Sequence, residues 1–249
     1  MKIFSLKSGS RGNAALLFSD KTKILIDCGC SGKAAAAALA ELDVTPSELS
    51  GIVVTHEHTD HISGIGVMMR RYSLPVYANY ATWAAMSSSV GNVPEELVKT
   101  FNAGESFEIG DIGVSPFSIP HDAADPVGYS FESGGEKISI ATDIGELKAD
   151  LFAAVRGSKT VLLEANHDVN MLEIGSYPMP LKCRIRGKLG HLSNDDAGKA
   201  AEFLANVLSP SSLLYAVIVR LPSVWRYLSF TTAQLLPSIV CHSVERLLF

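Results

Sequence analysis

The first 206 residues predict a layered α/β fold. Short apolar stretches rich in β-branched residues alternate with segments of helical periodicity, and turns rich in Gly, Ser and Asp separate them. Such alternation along one chain is typical of sheets covered by helices. Hydrophobic residues make up 47% of the chain and charged residues 19%, which is enough apolar material for a large core. No internal repeat or low-complexity linker is found, so we expect residues 1–206 to form one domain.

The individual elements follow from local signals. Short strands between turn residues open the chain, Ser31 is placed to cap an alanine-rich helix, and the buried-type strand 51–55 follows. The predicted strands are 2–6, 14–18, 23–27, 51–55, 75–78, 106–109, 112–119, 127–132, 137–142 and 160–164. The predicted helices are 32–42, 62–72, 82–88, 95–99, 147–155 and 194–206.

Composition excludes several classes of protein. The apolar stretches are far shorter than the 18 residues of a membrane span, and the N-terminal residues reach polar positions too soon for a signal-peptide core. The four cysteines form no CxxC pair, which favours reduced and mostly buried thiols. The net charge of −5 does not indicate a nucleic-acid binder, although a local basic strip would suffice for one. We therefore expect a cytoplasmic protein without a membrane partner.

The strongest chemical signal directly follows the predicted buried strand 51–55. Three histidines and two carboxylates stand within six residues, in the order His56, Glu57, His58, Asp60 and His61. Neutral imidazole and carboxylate groups are ligands for zinc, manganese or iron. Because His56 and His58 are two residues apart while Asp60 and His61 follow in a second position, the spacing suits two adjacent ions.

This HxHxDH pattern after an apolar strand resembles the signature of the metallo-β-lactamase fold superfamily. Asp27 before Cys28-Gly29, His121 after Ile119-Pro120, and Asp143 before Ile144-Gly145 resemble further motifs of that superfamily in the same order. Three other segments are similar to the YycJ/WalJ-like branch of small bacterial hydrolases, related to phosphodiesterases and nucleases: 8–13, 164–168 and 190–194. The resemblance covers roughly residues 1–206.

The resemblance implies a four-layer αββα sandwich with two divalent ions, zinc or manganese. It implies that His56, His58 and His121 bind the first ion. It implies that Asp60, which is also a catalytic residue, and His61 bind the second ion. The last implied ligand is a carboxylate that bridges both ions, Asp143. Asp27 is expected to orient a ligand through hydrogen bonds.

Two further histidines have open roles. In related phosphodiesterases a histidine at the position of His191 lies near the scissile phosphate, where it donates a proton to the leaving oxygen or holds a phosphate oxygen. The alternative is a histidine in a helix-capping loop, since Ser193 or Asn194 could cap the helix that follows. His167 either lines the site behind a ligand or forms hydrogen bonds within its own loop.

A basic strip leads into His191. Lys182, Arg184, Arg186 and Lys188 alternate with other residues, and in an extended strand this period of two places all four cations on one face. Such a face suits a phosphodiester backbone. The alternative is a solvated edge strand that its charges protect. Arg11, in a loop rich in Gly and Ser, is a weaker candidate for phosphate contact.

The last 43 residues differ in composition from the rest. They contain no Gly, Lys, Asp or Asn, and their net charge is +2 against −7 for residues 1–206. The resembled branch is expected to carry one more ligand histidine here, and the context of His242 does not match its motif. Residues 207–249 are therefore predicted to be an atypical tail in place of the last strand and helix. Translation in a shifted frame is the favoured explanation, and a genuinely divergent tail is the alternative. Either way, His242 is not assigned as a ligand, and the second ion would be short of one ligand.

These observations predict a metal-dependent hydrolase of phosphodiester bonds, of the DNA or RNA exonuclease type. Two ions would activate a water and neutralise charge on the phosphate, and the basic strip would follow the backbone of the nucleic acid. The first alternative is a hydrolase of small thioesters, cyclic phosphates or lactones. The second alternative is an inactive product of the altered tail.

Overall fold

The computed structural model describes residues 1–102, 104–207, 213–218, 226–231 and 241–243, with backbone only from residue 205 onward. Two β-sheets pack face to face, and helices cover both outer faces. This is the αββα sandwich that the sequence predicts.

The first sheet has six strands in sequence order, β1 to β6. The first three strands pair antiparallel, and from β3 to β6 every pairing is parallel. The strands are Lys2–Lys7, Ala14–Phe18, Lys23–Ile26, Gly51–Val53, Val76–Asn79 and Val98–Phe101.

The second sheet has eight strands in the reverse order, β14 to β7. Strands β10, β11 and β12 are parallel, and the other pairings are antiparallel. The strands are Phe107–Ile109, Ile112–Ser118, Val127–Ser133, Glu136–Ala141, Thr160–Ala165, Leu213–Ile218, Arg226–Thr231 and Cys241–Ser243.

Eight α-helices, α1 to α8, are found in the described part of the chain. They are Gly32–Ala40, Thr59–Ile62, Ile65–Tyr72, Tyr80–Val90, Ala149–Val155, Val169–Ile174, Met179–Arg186 and Asn194–Val207. None of the helices among the described residues has both the length and the apolar character that a membrane span requires.

Three separate hydrophobic clusters fill the three spaces between the layers. On β3 the side chain of Leu25 points to the helices of the first sheet, whereas Ile24 and Ile26 point into the space between the sheets. A third cluster lies between the second sheet and α5 and α8, with Val161 and Leu204 among its members. Strands buried on both faces read as continuous apolar runs, which is why the short strands are visible in the sequence.

Several predicted elements are wrong in kind or extent. The helix expected over 62–72 begins only at Ile65 as α3, and Ile62 is the last residue of the short helix α2. Gly64, between the two helices, packs so closely on Cys28 and Cys30 that a Cβ atom there would clash. The helix expected over 95–99 is one 3₁₀ turn that runs into β6. The segment 182–188 is not a strand: most of it belongs to α7, whose first turn contains a proline.

In its described parts, the tail contributes three strands to the second sheet. Strand β12 pairs parallel with β11, and β13 and β14 continue the sheet outward. The packing of the tail's side chains lies outside the described residues. Its origin in a shifted reading frame stays a prediction.

Gly29 is the tightest backbone contact near the loop that carries the histidine cluster. A Cβ atom at Gly29 would lie 1.5 Å from the carbonyl oxygen of Asp60. The backbone N–H of Gly29 donates to the carbonyl of Asn13 at 2.8 Å, so three loops meet at this glycine.

We expect Gly29→Ala to lower the free energy of unfolding by about 3 kcal/mol, because the added methyl group forces two backbone segments apart. Gly198→Ala is the control: Gly198 lies within α8 with open space where a Cβ would stand, so this change is expected to add about 0.5–1 kcal/mol. Urea unfolding measures both. Equal effects of the two changes would contradict the packing argument.

Candidate metal centre

Loops from both sheets converge at one edge of the sandwich. Strands β3 and β4 are parallel in the first sheet, and β8, β10 and β11 run in one direction in the second, so their carboxyl ends meet. The chemically active side chains lie at or just after these ends: Asp27, His56, His58, Asp60, His61, His121, Asp143 and Glu164.

Three histidines face one another with their ring nitrogens, and we call them the histidine triad: His56, His58 and His121. The Nδ1 atom of His58 lies 3.1 Å from Nε2 of His56 and 3.3 Å from Nε2 of His121. Two nitrogens bound to one tetrahedral zinc ion at ~2.05 Å are about 3.3 Å apart. The triad therefore has the spacing of a set of ligands.

The opposite ring nitrogen of each triad member has another partner. His56 Nδ1 lies 3.0 Å from the hydroxyl of Thr55, His58 Nε2 lies 3.2 Å from the carbonyl of Asp122, and His121 Nδ1 lies 3.1 Å from the carbonyl of Gly190. A ring nitrogen that donates to a carbonyl leaves the other nitrogen with a free lone pair. The three inward nitrogens are therefore oriented to bind one ion.

A second set of potential ligands lies beside the triad. Nε2 of His61 is 3.4 Å from Oδ2 of Asp143 and 3.9 Å from Oδ2 of Asp60. Asp143 groups with His56 and His61 on one side, and with His121 and His191 on the other. The carboxylate of Asp143 thus lies between the two sets, where a bridging ligand would stand.

Asp27 orients His61. Its Oδ2 atom accepts from Nδ1 of His61 at 2.8 Å, and its two oxygens also accept from the N–H and the hydroxyl of Thr55 at 2.8 and 2.7 Å. With Nδ1 engaged in this way, the Nε2 atom of His61 carries the free lone pair.

The carboxylates and the histidines of the cluster stabilise each other's charged forms. Although burial alone would raise the pKa of Asp143, the surrounding histidines, above all His61, hold that pKa well below its usual range. Burial opposes a charge on His61 as well, but Asp143 and Asp27 raise its pKa to about 9. Without an ion, His61 therefore carries a proton at neutral pH that an ion would displace.

Asp27 and Asp143 also share a backbone peculiarity. Both have φ of 59°, a left-handed conformation that few residues other than glycine adopt. Backbone strain of this kind is concentrated at functional sites. In each case it turns the carboxylate back toward the histidines from the end of a strand.

Glu164 is a candidate site residue to which the sequence assigns no role, although it opens the segment 164–168 that resembles the YycJ/WalJ-like branch. It is 2% exposed, and its Oε1 lies 2.7 Å from Nδ1 of His191. Its Oε2 accepts from the N–H groups of Ile144 and Leu192 at 2.8 and 3.3 Å. Burial raises the pKa of Glu164, but so many N–H donors favour the carboxylate anion, and we assign an ion pair. Burial opposes the charge of His191, and Glu164 and Asp143 raise its pKa to about 9.

His167 does not lie against a proposed ligand in the described part of the chain. Its carbonyl accepts from the N–H of Asn194 at 2.8 Å, and its Nδ1 atom is buried without a hydrogen-bond partner there. These contacts do not decide between the two roles, and the role of His167 stays a prediction.

The four cations of the predicted strip do not share a face. Three of them, Lys182, Arg184 and Arg186, lie on the helix α7, where residues two apart face different sides, and Lys188 lies beyond its end. Lys182 is buried and donates to the carbonyl of Glu173 at 2.6 Å, and Arg186 binds the carboxylate of Glu173 at 2.7 Å. Residues four apart lie on one side of a helix, which explains this pair. The prediction of one basic face over 182–188 is wrong.

Arg184 and Lys188 lie near the metal centre. Arg184 binds the carboxylate of Asp122 with its Nε and Nη2 atoms, at 2.5 and 3.0 Å. Asp122 Oδ1 is in turn 3.4 Å from Nε2 of His121. The backbone of Lys188 packs against Gly145, next to the Asp143 loop, and its side chain is exposed. Arg11 is also exposed.

The sequence of the chain matches that of known proteins. Residues 22–212 match the family described as beta-lactamase superfamily domain. The chain belongs to this superfamily. It is 43% identical to the exodeoxyribonuclease YycJ of Bacillus anthracis over 195 residues, which cover 78% of this chain and 74% of the relative. It is 42% identical to the exodeoxyribonuclease WalJ of Streptococcus pneumoniae over 197 residues, 78% of this chain and 73% of the relative. The resemblance to the YycJ/WalJ-like branch is confirmed.

Solved structures confirm the fold. Zinc-bound PqqB from Methylobacterium extorquens superposes with a TM-score of 0.65 at 17% identity, over 83% of this chain and 86% of PqqB. The short form of human tRNase Z superposes with a TM-score of 0.63 at 17% identity, over 88% of this chain and 92% of the other. At this identity the similarity concerns the fold alone.

We expect Glu164→Gln to lower the pKa of His191, because the neutral amide no longer stabilises the imidazolium. A raised pKa contributes stability that is present below the unfolded value near 6.5 and lost as the pH rises through about 9. In metal-free protein the variant should therefore lose more stability at pH 6 than at pH 10. NMR titration and urea unfolding measure the two effects, with Glu108→Gln on β7 as an exposed control. An unchanged pKa of His191 would argue against the ion pair.

Proposed function

We propose that this protein is a metal-dependent exonuclease that hydrolyses phosphodiester bonds of DNA with two divalent ions, zinc or manganese. The observation that carries the proposal is the convergence of the histidine triad, Asp143 and His191 at one edge of the sandwich. The names of the YycJ and WalJ relatives support DNA as the substrate class.

The donor sets fit two ions. We assign the histidine triad to the first ion, Asp60 and His61 to the second, and Asp143 to both. Bound there, the ions would supply an acidified water and positive charge for the phosphate oxygens. The protein's contribution is a preorganised arrangement of ligands, since the hydrogen bonds of Asp27 to Thr55 and His61 hold the ring of His61 in place.

His191 is the proposed proton donor. It is held by Glu164 on one ring nitrogen, and its raised pKa keeps it protonated at neutral pH. A protonated imidazole beside the proposed bridging carboxylate Asp143, at 3.5 Å, can donate to the oxygen that leaves the phosphorus. Glu164 acts through His191 by fixing its orientation and its charge.

The cations at the edge of the site suit an anionic substrate. The guanidinium of Arg184 is half-exposed and kept in place by Asp122, next to the triad. Its planar donor group matches phosphate oxygens. Lys188 and Arg11 are exposed, and Lys188 has no ion-pair partner among the described side chains. We propose these three residues as contacts to the phosphate backbone.

We further propose that residues 207–249 are an atypical tail and that the second ion lacks one ligand. Across the second sheet, His242 is in register with Tyr227, Val217 and Glu164, three strand spacings away. Three spacings amount to roughly 14 Å, too far for His242 to join Glu164 at the site. The coding DNA tests the origin of the tail: a histidine motif in another frame after codon 206 supports a shift, and its absence in both other frames refutes it.

The ligand assignment predicts distinct losses of bound metal. His58→Ala should abolish binding at the first site, because two imidazoles remain of three. Asp60→Ala should leave the first site occupied and weaken the second by tenfold or more. Elemental analysis of dialysed protein measures both. Wild-type metal content in His58→Ala would rule out the triad as a metal site.

The division of the basic residues by α7 predicts unequal effects on DNA binding. Arg184→Ala combined with Lys188→Ala should weaken DNA binding by tenfold or more. The salt dependence of binding should become less steep, by an amount that corresponds to about two fewer phosphate contacts. Arg186→Ala, whose side chain pairs with Glu173, and Lys33→Ala on α1 are the controls and should change binding by less than twofold. Equal effects of all these changes would contradict the proposed contacts.

The function itself is tested with DNA and RNA, single- and double-stranded, labelled at the 5′ or the 3′ end. We expect metal-dependent release of nucleotides from DNA ends and hydrolysis of bis-p-nitrophenyl phosphate. Cleavage of a thioester without any action on DNA would favour the small-molecule hydrolase. Full metal occupancy without any hydrolysis would favour the inactive product.

A further inference from the structure

Asn13 lies in direct contact with two of the proposed ligands of the second ion. Its Nδ2 atom is 3.0 Å from Nε2 of His61, 3.1 Å from Oδ2 of Asp60 and 3.3 Å from the carbonyl oxygen of Asp60. Asn13 is the last residue of the Gly- and Ser-rich loop 8–13. In the proposed function, Arg11 is the residue of this loop that has a role.

The orientation of the Asn13 amide is determined by its surroundings. The backbone N–H of Gly9 donates to Oδ1 of Asn13 at 2.9 Å, and only the oxygen of the amide can accept this hydrogen bond. The NH₂ group must therefore face Asp60 and His61. A flipped amide would place two donors together at Gly9 and lose the donor to Asp60.

The backbone of Asn13 is held as firmly as its side chain. Its N–H donates to the carbonyl of Asp60 at 2.7 Å, and its own carbonyl accepts from Gly29 at 2.8 Å. The preceding Gly12 has φ of +144°, and a Cβ there would lie 2.9 Å from the carbonyl oxygen of Gly29. The loop is thus fitted closely against the segment that carries Asp60.

Nε2 of His61 is the ring atom that Asn13 faces. Because Nδ1 of His61 is engaged by Asp27, an ion would bind His61 through Nε2, which lies 3.0 Å from Nδ2 of Asn13. Asn13 thus contacts the same face of His61 that an ion would use. The amide can keep its second hydrogen on Asp60 when an ion takes the lone pair.

We propose that Asn13 is a positioning residue of the second ion site. Its amide donates to the Asp60 carboxylate at 3.1 Å and holds one oxygen of that group in place beside Nε2 of His61. The inference rests on the two-ion centre of the proposed function. With no ligand from the tail, as proposed above, the affinity of this ion would depend strongly on the orientation of Asp60.

The test is a calorimetric titration of metal-free protein with manganese or zinc. Wild-type protein should bind two ions, the first more tightly. Asn13→Ala should weaken the second ion by tenfold or more and leave the affinity for the first ion within twofold. Asn102→Ala, in an exposed loop after β6, is the matched control and should change neither affinity.

A second variant separates positioning from mere loop structure. Asn13→Asp retains the acceptor for Gly9 and places a carboxylate oxygen next to His61 Nε2, where it can itself bind an ion. The second ion should therefore bind at least tenfold more tightly to Asn13→Asp than to Asn13→Ala. Thermal unfolding of the metal-free variants reports on the loop.

The outcomes are distinguishable. One ion per wild-type chain overturns the two-ion function and with it the role of Asn13. Two ions in wild type and equal affinities in Asn13→Ala overturn the role of Asn13 and leave the function standing. Equal weakening of both ions, together with a large drop in unfolding temperature, shows a structural anchor and overturns the proposal. Weaker second-ion binding by Asn13→Asp than by Asn13→Ala does so as well.

Discussion

The structure depends on bringing several imidazoles and carboxylates together in a buried place without leaving their charges unbalanced. Nδ1 of His58 lies 3.1 Å from Nε2 of His56 and 3.3 Å from Nε2 of His121, a spacing that leaves the lone pairs in conflict unless a cation or a proton lies between them. Burial and His61 hold the pKa of His56 well below its usual value, so a proton is a poor solution there. A divalent ion would resolve the conflict, and the nearby carboxylates would balance its charge.

This arrangement requires strained backbone conformations and close backbone packing at the strand ends. Asp27 and Asp143 adopt a left-handed backbone conformation, and Gly29 contacts the backbone of Asp60 where no side chain fits. These features are held by the two sheets, whose strands are buried on both faces. The core thus provides the rigidity that a metal centre needs, and the loops at the strand ends provide the chemistry.

Much of this arrangement is visible in the sequence. The apolar strands and the HxHxDH pattern predict the layers and the histidines, because both depend on local residue types. The spatial pairing of Glu164 with His191 is not visible, since it joins residues 27 apart through the ends of two elements. The prediction of a basic strand over 182–188 is wrong, although cations at alternate positions fit a strand. A proline marks the start of the helix α7, and Lys182 is buried within this helix.

We propose that the triad and the second ligand set each hold one ion. The most direct measurement is a crystal structure of the zinc- or manganese-loaded protein, with anomalous scattering recorded at the edge of the metal. We predict one strong peak enclosed by His56, His58 and His121, and a second, weaker peak beside His61 and Asp143. A single peak outside the triad, or no peak at this edge of the sandwich in loaded protein, would contradict the account.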